Sequence, residues 1–170
     1  TGSQVIVGVA VTNAGTDLGQ LRPMAAQLRR RYGWGPGDVL ADGGYVALPD
    51  IRALERLPGC RVYAPPKAPR GHGRARDWRR RNDEATLAWR ARMATDEAQA
   101  IYKERAATAE CVNALARNRG LQQFVVRGLR KAHAVLLWFA LAHNLMRMAS
   151  LAPDLIGIGT GPSAVPAMVV

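Results

Sequence analysis

The chain has 170 residues, about one domain's worth of sequence, and 48% of them are apolar. This composition excludes a disordered acidic or basic tail. The net charge is +11, and 21 of the 24 basic residues are arginine. Because the planar guanidinium suits phosphate, the charge predicts a polyanionic partner. A GC-rich genome would explain the choice of arginine over lysine, but not the surplus of positive over negative charge.

The sequence also disfavours membrane, secreted and disulfide-rich classes of protein. The charge-free stretch around the apolar maximum covers 132–146, which is 15 residues, whereas a bilayer requires about 18 to 20. No signal peptide opens the chain, and Cys60 and Cys111 are too isolated to indicate a disulfide framework or a structural zinc site. These features predict a cytoplasmic protein with no membrane partner.

Short strands alternate with helices in the first part of the chain. The predicted strands cover 4–12, 38–41 and 60–64. The first helix is expected to begin at Asp17, with Gln20 completing a capping box, and a second to cover 51–57. Because strands joined by crossover helices run parallel, this order predicts an α/β domain with a parallel sheet.

The composition changes after the third strand. Residues 67–81 hold seven basic residues and one aspartate, which predicts an exposed basic loop. Helices are predicted over 84–92, 96–118 and 129–149, the last apolar enough to pack against the sheet. We expect an ordered domain over 1–150 and a disordered tail over 151–170.

Asp42 is the first candidate functional residue. It follows a short apolar strand and precedes Gly43 and Gly44. Sites in open parallel sheets form at the carboxyl ends of the strands, and two glycines allow a close approach of backbone or phosphate. The alternative is that Asp42 only caps the turn, as aspartate before glycine often does.

Glu110 is the second candidate, because it is a carboxylate among Ala, Cys, Val and Leu neighbours. Arg117 lies seven residues further along the predicted helix and therefore on the same face. The alternative interpretation is an ordinary surface or salt-bridge glutamate.

Several blocks of the chain resemble the DDE transposases of bacterial insertion sequences. Residues 39–45, VLADGGY, resemble their ADxGY block. Tyr102, Arg105, Glu110 and Arg117 resemble their Y-x-x-R…E…K signature. Arg117 stands in place of the usual lysine, and four residues separate Arg105 from Glu110 where other branches have three.

The likeness extends beyond these two blocks. Residues 118–145 are similar to the closing block of the family, and Asp17-x-x-Gln20-Leu21 is similar to the segment that follows its central strand. The blocks run in the family's order from about residue 4 to 148.

The resemblance implies an RNase H-like domain that cleaves DNA and transfers strands with two Mg²⁺ or Mn²⁺ ions held between three carboxylates. Asp42 and Glu110 would be catalytic metal ligands, since hard oxygen ligands suit such ions. DNA, as transposon ends and target, would be the partner in a cytoplasmic, nucleoid-associated bacterial protein, and the complete enzyme could be a homodimer. The residues expected to contact DNA are Tyr102, Arg105, Arg117, Lys67, Arg79, Arg80 and Arg81.

The first aspartate of the family has no clear counterpart. In an RNase H-like domain it lies on the first strand, whereas Asp17 stands at a predicted helix start and is interpreted as a cap. We therefore expect a C-terminal fragment that lacks the first two strands and is inactive alone. The alternatives are a non-catalytic nucleic-acid-binding protein derived from a transposase, and another RNase H-like nuclease.

Overall fold

The computed structural model describes residues 3–33, 35–66 and 83–153. The elements, in chain order, are α1 (Leu21–Tyr32), β1 (Asp38–Leu40), a 3-10 turn (Gly43–Tyr45), α2 (Leu48–Glu55), β2 (Arg61–Tyr63), α3 (Glu84–Met93), α4 (Asp96–Arg105), a π turn (Ala106–Glu110), α5 (Cys111–Asn118) and α6 (Leu129–Leu151). The predicted α/β class is confirmed. The basic loop 67–81 and the tail from 154 onward lie outside the described residues.

β1 and β2 form a parallel pair, as predicted, with Val39 opposite Val62. Two bonds extend the ladder at its ends, from Arg61 N–H to Gly37 O (2.8 Å) and from Ala41 N–H to Tyr63 O (3.0 Å). Parallel strands require a crossover connection, and α2 provides it.

The predicted strand over 4–12 is wrong: this segment has no regular secondary structure. Side chains from helices, rather than a neighbouring strand, bind its backbone. The Asn144 amide accepts from Ile6 N–H and donates to Ile6 O, both at 2.8 Å. On the other side the Tyr32 hydroxyl donates to Val7 O (2.9 Å) and Gln27 donates to Val9 O (2.9 Å). Several of the polar groups that a strand would offer to a sheet are therefore already bonded.

The predicted capping box at the first helix is also wrong. α1 begins at Leu21, and its N-cap is Gln20, whose side chain makes no capping bond. Asp17 takes part only through its carbonyl, which accepts from Gln20 N–H (3.2 Å). The end of the helix is as the sequence indicates, with arginines in the last turn and Gly33 in the left-handed conformation (φ 77°).

Side-chain caps position the two helices that follow the second gap. Asp83 caps α3 by accepting from Thr86 N–H (3.1 Å) and from the Thr86 hydroxyl (2.7 Å), and these bonds lower the pKa of Asp83. Thr95 caps α4 by accepting from Ala98 N–H (3.2 Å).

The predicted single helix over 96–118 is present, but the π turn interrupts its α geometry.

The buried core lies between α2, β2, α3 and α4. Its fully buried side chains include Ile51, Leu54, Val62 and Trp89, and Ala98 of α4 packs against them. Trp89 is 1% exposed and packs α3 against this core. Burial also raises the pKa of the Cys60 thiol, with Glu55 adding to the shift, so this cysteine is a poor nucleophile at neutral pH.

A buried ion pair closes the outer edge of β2. Glu55 of α2 accepts from Val62 N–H (2.7 Å), and Arg92 of α3 donates to Val62 O (3.2 Å). Arg92 also donates directly to Glu55, whose side chain is 6% exposed. One carboxylate and one guanidinium therefore join three elements.

The prediction that the last helix packs against the sheet is wrong. The polar face of α6 binds the N-terminal segment instead. His143 Nε2 lies 2.8 Å from Gln4 O, and Asn144 holds Ile6. The opposite face is apolar and exposed, with Trp138 72% accessible. By length and composition alone α6 could cross a membrane, but its bonds to residues 4–9 make it a structural part of this domain.

We expect Glu55→Ala to lower the free energy of unfolding by about 3–5 kcal/mol, because it leaves Arg92 without its partner in a largely buried position. Urea denaturation measures the change. Asp38→Ala is the matched control, since it removes the exposed Arg61–Asp38 pair and should change the stability little. Equal effects of the two substitutions would contradict the structural role given to Glu55.

Candidate functional site

Asp42 lies at the carboxyl end of β1, where the sequence predicted it. The strand ends at Leu40, Ala41 is buried, and Asp42 is exposed. Its carboxylate accepts from Gly43 N–H (2.6 Å) and so caps the 3-10 turn Gly43–Tyr45. The capping role and an exposed carboxylate therefore coexist in this residue.

The structure brings Asp17 to the same turn, which the sequence analysis did not predict. A Cβ atom added to Gly44 would lie 3.5 Å from Asp17 Oδ2. The pKa of Tyr45 is raised, first by burial and then by the negative charges of Asp17 and Asp42. The carboxylates of Asp17 and Asp42 therefore both lie close to the turn Gly43–Tyr45. The signal in the sequence was the Asp17-x-x-Gln20-Leu21 block, which we interpreted as a helix cap.

A cleft of about 470 Å³ adjoins this turn. Asp17 and Tyr45 line one part of it, and Leu21, Met24 and Phe124 give the rest an apolar wall. The turn thus has space beside it.

Tyr102 and Arg105 lie together on α4. The Arg105 guanidinium lies 5.5 Å from the centre of the Tyr102 ring, and Tyr102 is half-buried against the core. Arg105 lines a second cleft, of about 300 Å³, between residues 3–6 and the β1 residues Asp38 and Leu40. One of the predicted DNA contacts is therefore placed at the edge of the sheet.

Glu110 is the last residue of the π turn, and Arg117 is exposed in the last turn of α5. The side chain of Glu110 lies outside the description, so its separation from Asp42 stays a prediction. Lys67, Arg79, Arg80 and Arg81 also lie outside the described residues.

A basic groove that the sequence analysis did not single out lies at the start of α6. It measures about 720 Å³, and Arg127, Arg130 and Lys131 line it. Residues 111–153 contain six basic residues and no carboxylate, so no acidic neighbour in sequence compensates these charges. The distribution of charge in the sequence therefore could have predicted this basic surface.

The metal site that the resemblance implies requires several hard oxygen ligands close together. Asp42 supplies the hard carboxylate oxygens that Mg²⁺ and Mn²⁺ prefer. Within the described residues, however, no group of three or more His, Cys, Asp or Glu side chains could hold a metal ion. The carboxylate oxygens of Asp42 suit Mg²⁺ or Mn²⁺, and the described part of the chain contributes this one proposed ligand, with Asp17 beside the same turn.

We expect an alkaline titration at 295 nm to show a tyrosine that ionises above the ordinary tyrosine pKa, and Tyr45→Phe to remove this phase. Because the raised pKa favours the neutral form in the folded state, this contribution to stability is present below the ordinary tyrosine pKa and is lost as the pH rises through the folded pKa. Asp17→Asn should move the pKa of Tyr45 downward without restoring it fully, since burial is the larger cause. An unchanged titration in Asp17→Asn would contradict the proximity of the two groups.

The family model described as "Transposase DDE domain" matches residues 59–149, more than half of the chain. The match contains Tyr102, Arg105, Glu110 and Arg117, while Asp42 lies before it. The searches of curated proteins and of solved structures found no significant match. The chain belongs to the transposase DDE domain family.

Proposed function

We propose that this domain is the catalytic part of an insertion-sequence transposase, which cleaves DNA and transfers strands with two divalent ions on an RNase H-like fold. The family match over 59–149 carries the proposal, because it places the chain in a family of DNA-processing enzymes. Support from the site is the exposed Asp42 at the carboxyl end of β1. The protein would act on DNA in the bacterial cytoplasm, as a homodimer in the complete enzyme.

Asp42 and Glu110 would hold the Mg²⁺ or Mn²⁺ ions. Such ions, when bound, activate a nucleophilic oxygen and stabilise the leaving oxygen of a phosphodiester. Within the chain, Gly43 N–H holds one oxygen of Asp42 and so fixes the carboxylate at the end of the strand. A side chain at Gly44 would begin 3.5 Å from Asp17 Oδ2, so the glycine leaves room for that carboxylate, and the cleft lined by Asp17 and Tyr45 would give a substrate access to the turn.

Positive side chains would bind the DNA backbone around this turn. Arg105 is held against Tyr102 in the cleft beside β1, and Arg117 is exposed further along the same helical run. Arg127, Arg130 and Lys131 add a groove whose charges suit a phosphate chain. The loop residues Lys67, Arg79, Arg80 and Arg81 would add contacts that do not depend on sequence.

A non-catalytic nucleic-acid-binding protein is the second candidate. One observation favours it: residues 111–153 contain six basic residues and no carboxylate, a charge pattern that suits a nucleic-acid backbone whether or not a metal is bound. Such a protein would keep the basic surfaces and bind DNA without needing a metal.

Metal titration separates these functions. We expect Mn²⁺, followed by electron paramagnetic resonance, to bind the chain about 10-fold or more weakly after Asp42→Asn or Glu110→Gln, because each removes a charged ligand. Glu84→Gln is the control, since it removes an exposed carboxylate at the start of α3. If all three variants bind Mn²⁺ like the parent, the metal-dependent function is wrong and the DNA-binding function is favoured.

Salt titration tests the DNA surface in EDTA. Replacing Arg79, Arg80 and Arg81 by glutamine should weaken binding to all duplex sequences alike, and should reduce the slope of log K against log salt by up to about 2.7. The control is the triple change Arg22→Gln, Arg29→Gln and Arg30→Gln, which removes the same charge from exposed positions on α1. A loss confined to one DNA sequence would show that the loop reads bases.

A further inference from the structure

The helix that carries Tyr102, Arg105 and Glu110 is not a uniform α-helix. α4, the π turn Ala106–Glu110 and α5 follow one another without a break from Asp96 to Asn118. In a π turn the hydrogen bonds join residues five apart instead of four, so the turn holds one residue more than a turn of α-helix. Such turns are rare in globular proteins. This one ends on the residue proposed as a metal ligand.

The two helical halves on either side of the π turn have different surroundings. On α4, Ala98 is 1% exposed and Ile101 packs against the core. Beyond the turn, Val112 of α5 lines the cleft beside Leu40, together with Thr108 from the turn itself. The π turn is therefore the joint at which the orientation of α4 meets that of α5.

Helix geometry shows what one additional residue does at this joint. In an uninterrupted α-helix, position 110 would lie about 140° around the axis from position 105, which is on another face. With one residue fewer the angle is about 40°, which is on the same face. Because a π turn bonds residues five apart, it returns position 110 toward the side of Arg105.

Side chains bind the carbonyl groups around the joint. The Thr108 hydroxyl donates to Glu104 O (3.1 Å), and Gln4 Nε2 donates to Ala107 O (3.3 Å). These bonds satisfy acceptors at the place where the regular ladder changes its spacing. The turn is thus supported by its surroundings.

We propose that the π turn Ala106–Glu110 is a register correction of one residue. It absorbs an additional residue and keeps position 110 and α5 in the orientation set by the core-anchored α4. The metal readout of this inference rests on the proposed function of Glu110, whereas the readout of helix stability does not.

Single deletions and a single insertion test the correction. Deleting Ala106 or Ala107 leaves a continuous α-helix with position 110 in place, so the melting temperature without metal should be unchanged or higher, and the Kd for Mn²⁺ should stay within about 3-fold of the parent. Inserting one alanine after Ala107 is the matched control. It rotates α5 by about 100°, so it should lower the melting temperature and weaken Mn²⁺ binding to the level of Glu110→Gln.

Each result decides the matter. A deletion that lowers the melting temperature as much as the insertion, or that prevents folding, overturns the proposal, because a register correction is not needed in the shortened helix. Deletion and insertion variants that both behave like the parent also overturn it. If Glu110→Gln leaves Mn²⁺ binding unchanged, the proposed metal role of Glu110 fails, and the melting temperatures still decide whether the π turn corrects the register.

Discussion

The contact between Glu55, Arg92 and the backbone of Val62 is the constraint on which the domain depends. Neighbouring residues of a strand bond to opposite sides, and Arg61 and Tyr63 bond toward β1, so the polar groups of Val62 face away from the pair. An open edge would leave them available to other strands. Here a carboxylate takes the N–H and a guanidinium takes the C=O. The sheet of the described chain is closed on this side by side chains.

The ion pair that covers this edge of the sheet also positions two elements of the candidate site, the strand that ends before Asp42 and the helix with Tyr102 and Arg105. Glu55 ends α2, whose first turn follows the 3-10 turn with Asp42, so holding α2 on β2 holds the carboxyl end of β1 in relation to the core. Arg92 stands near the end of α3, one short connection before α4. Its guanidinium also lies 5.4 Å from the centre of the Tyr63 ring. The strand with Asp42 and the helix with Tyr102 and Arg105 are thereby tied to the same buried pair.

The sequence predicted what local patterns determine and missed what distant side chains determine. The parallel pair, its crossover helix and the exposed Asp42 follow from strand length, turn residues and helix periodicity, which are local. The segment 4–12 has the β-branched pattern of a strand, but Asn144, Tyr32 and Gln27 bind its backbone, and no local pattern reports such partners. The interpretation of Asp17 as a helix cap was wrong for the same reason, because its position beside Gly44 is a tertiary contact. The π turn changes the spacing of hydrogen bonds inside a helix that the sequence predicts as continuous, and helical periodicity on either side does not indicate it.

The distribution of charge around the turn gives the site its chemical character. Phosphoryl transfer on DNA requires carboxylates to hold cations and cations to hold phosphates, and the two kinds of group must stay apart to avoid neutralising one another. In the described chain, Asp17 and Asp42 both act on Tyr45 at the carboxyl end of β1, while Arg105 lies in a separate cleft beside the strand. Glu55, Asp83 and Asp38 form ion pairs with other arginines, and Asp38 also lines the cleft beside Arg105. Each of these pairs uses a carboxylate that would otherwise compete with phosphate for an arginine. Positive charge remains on exposed residues such as Arg117, Arg127 and Arg130, while Asp17 and Asp42 place negative charge beside one turn of the backbone.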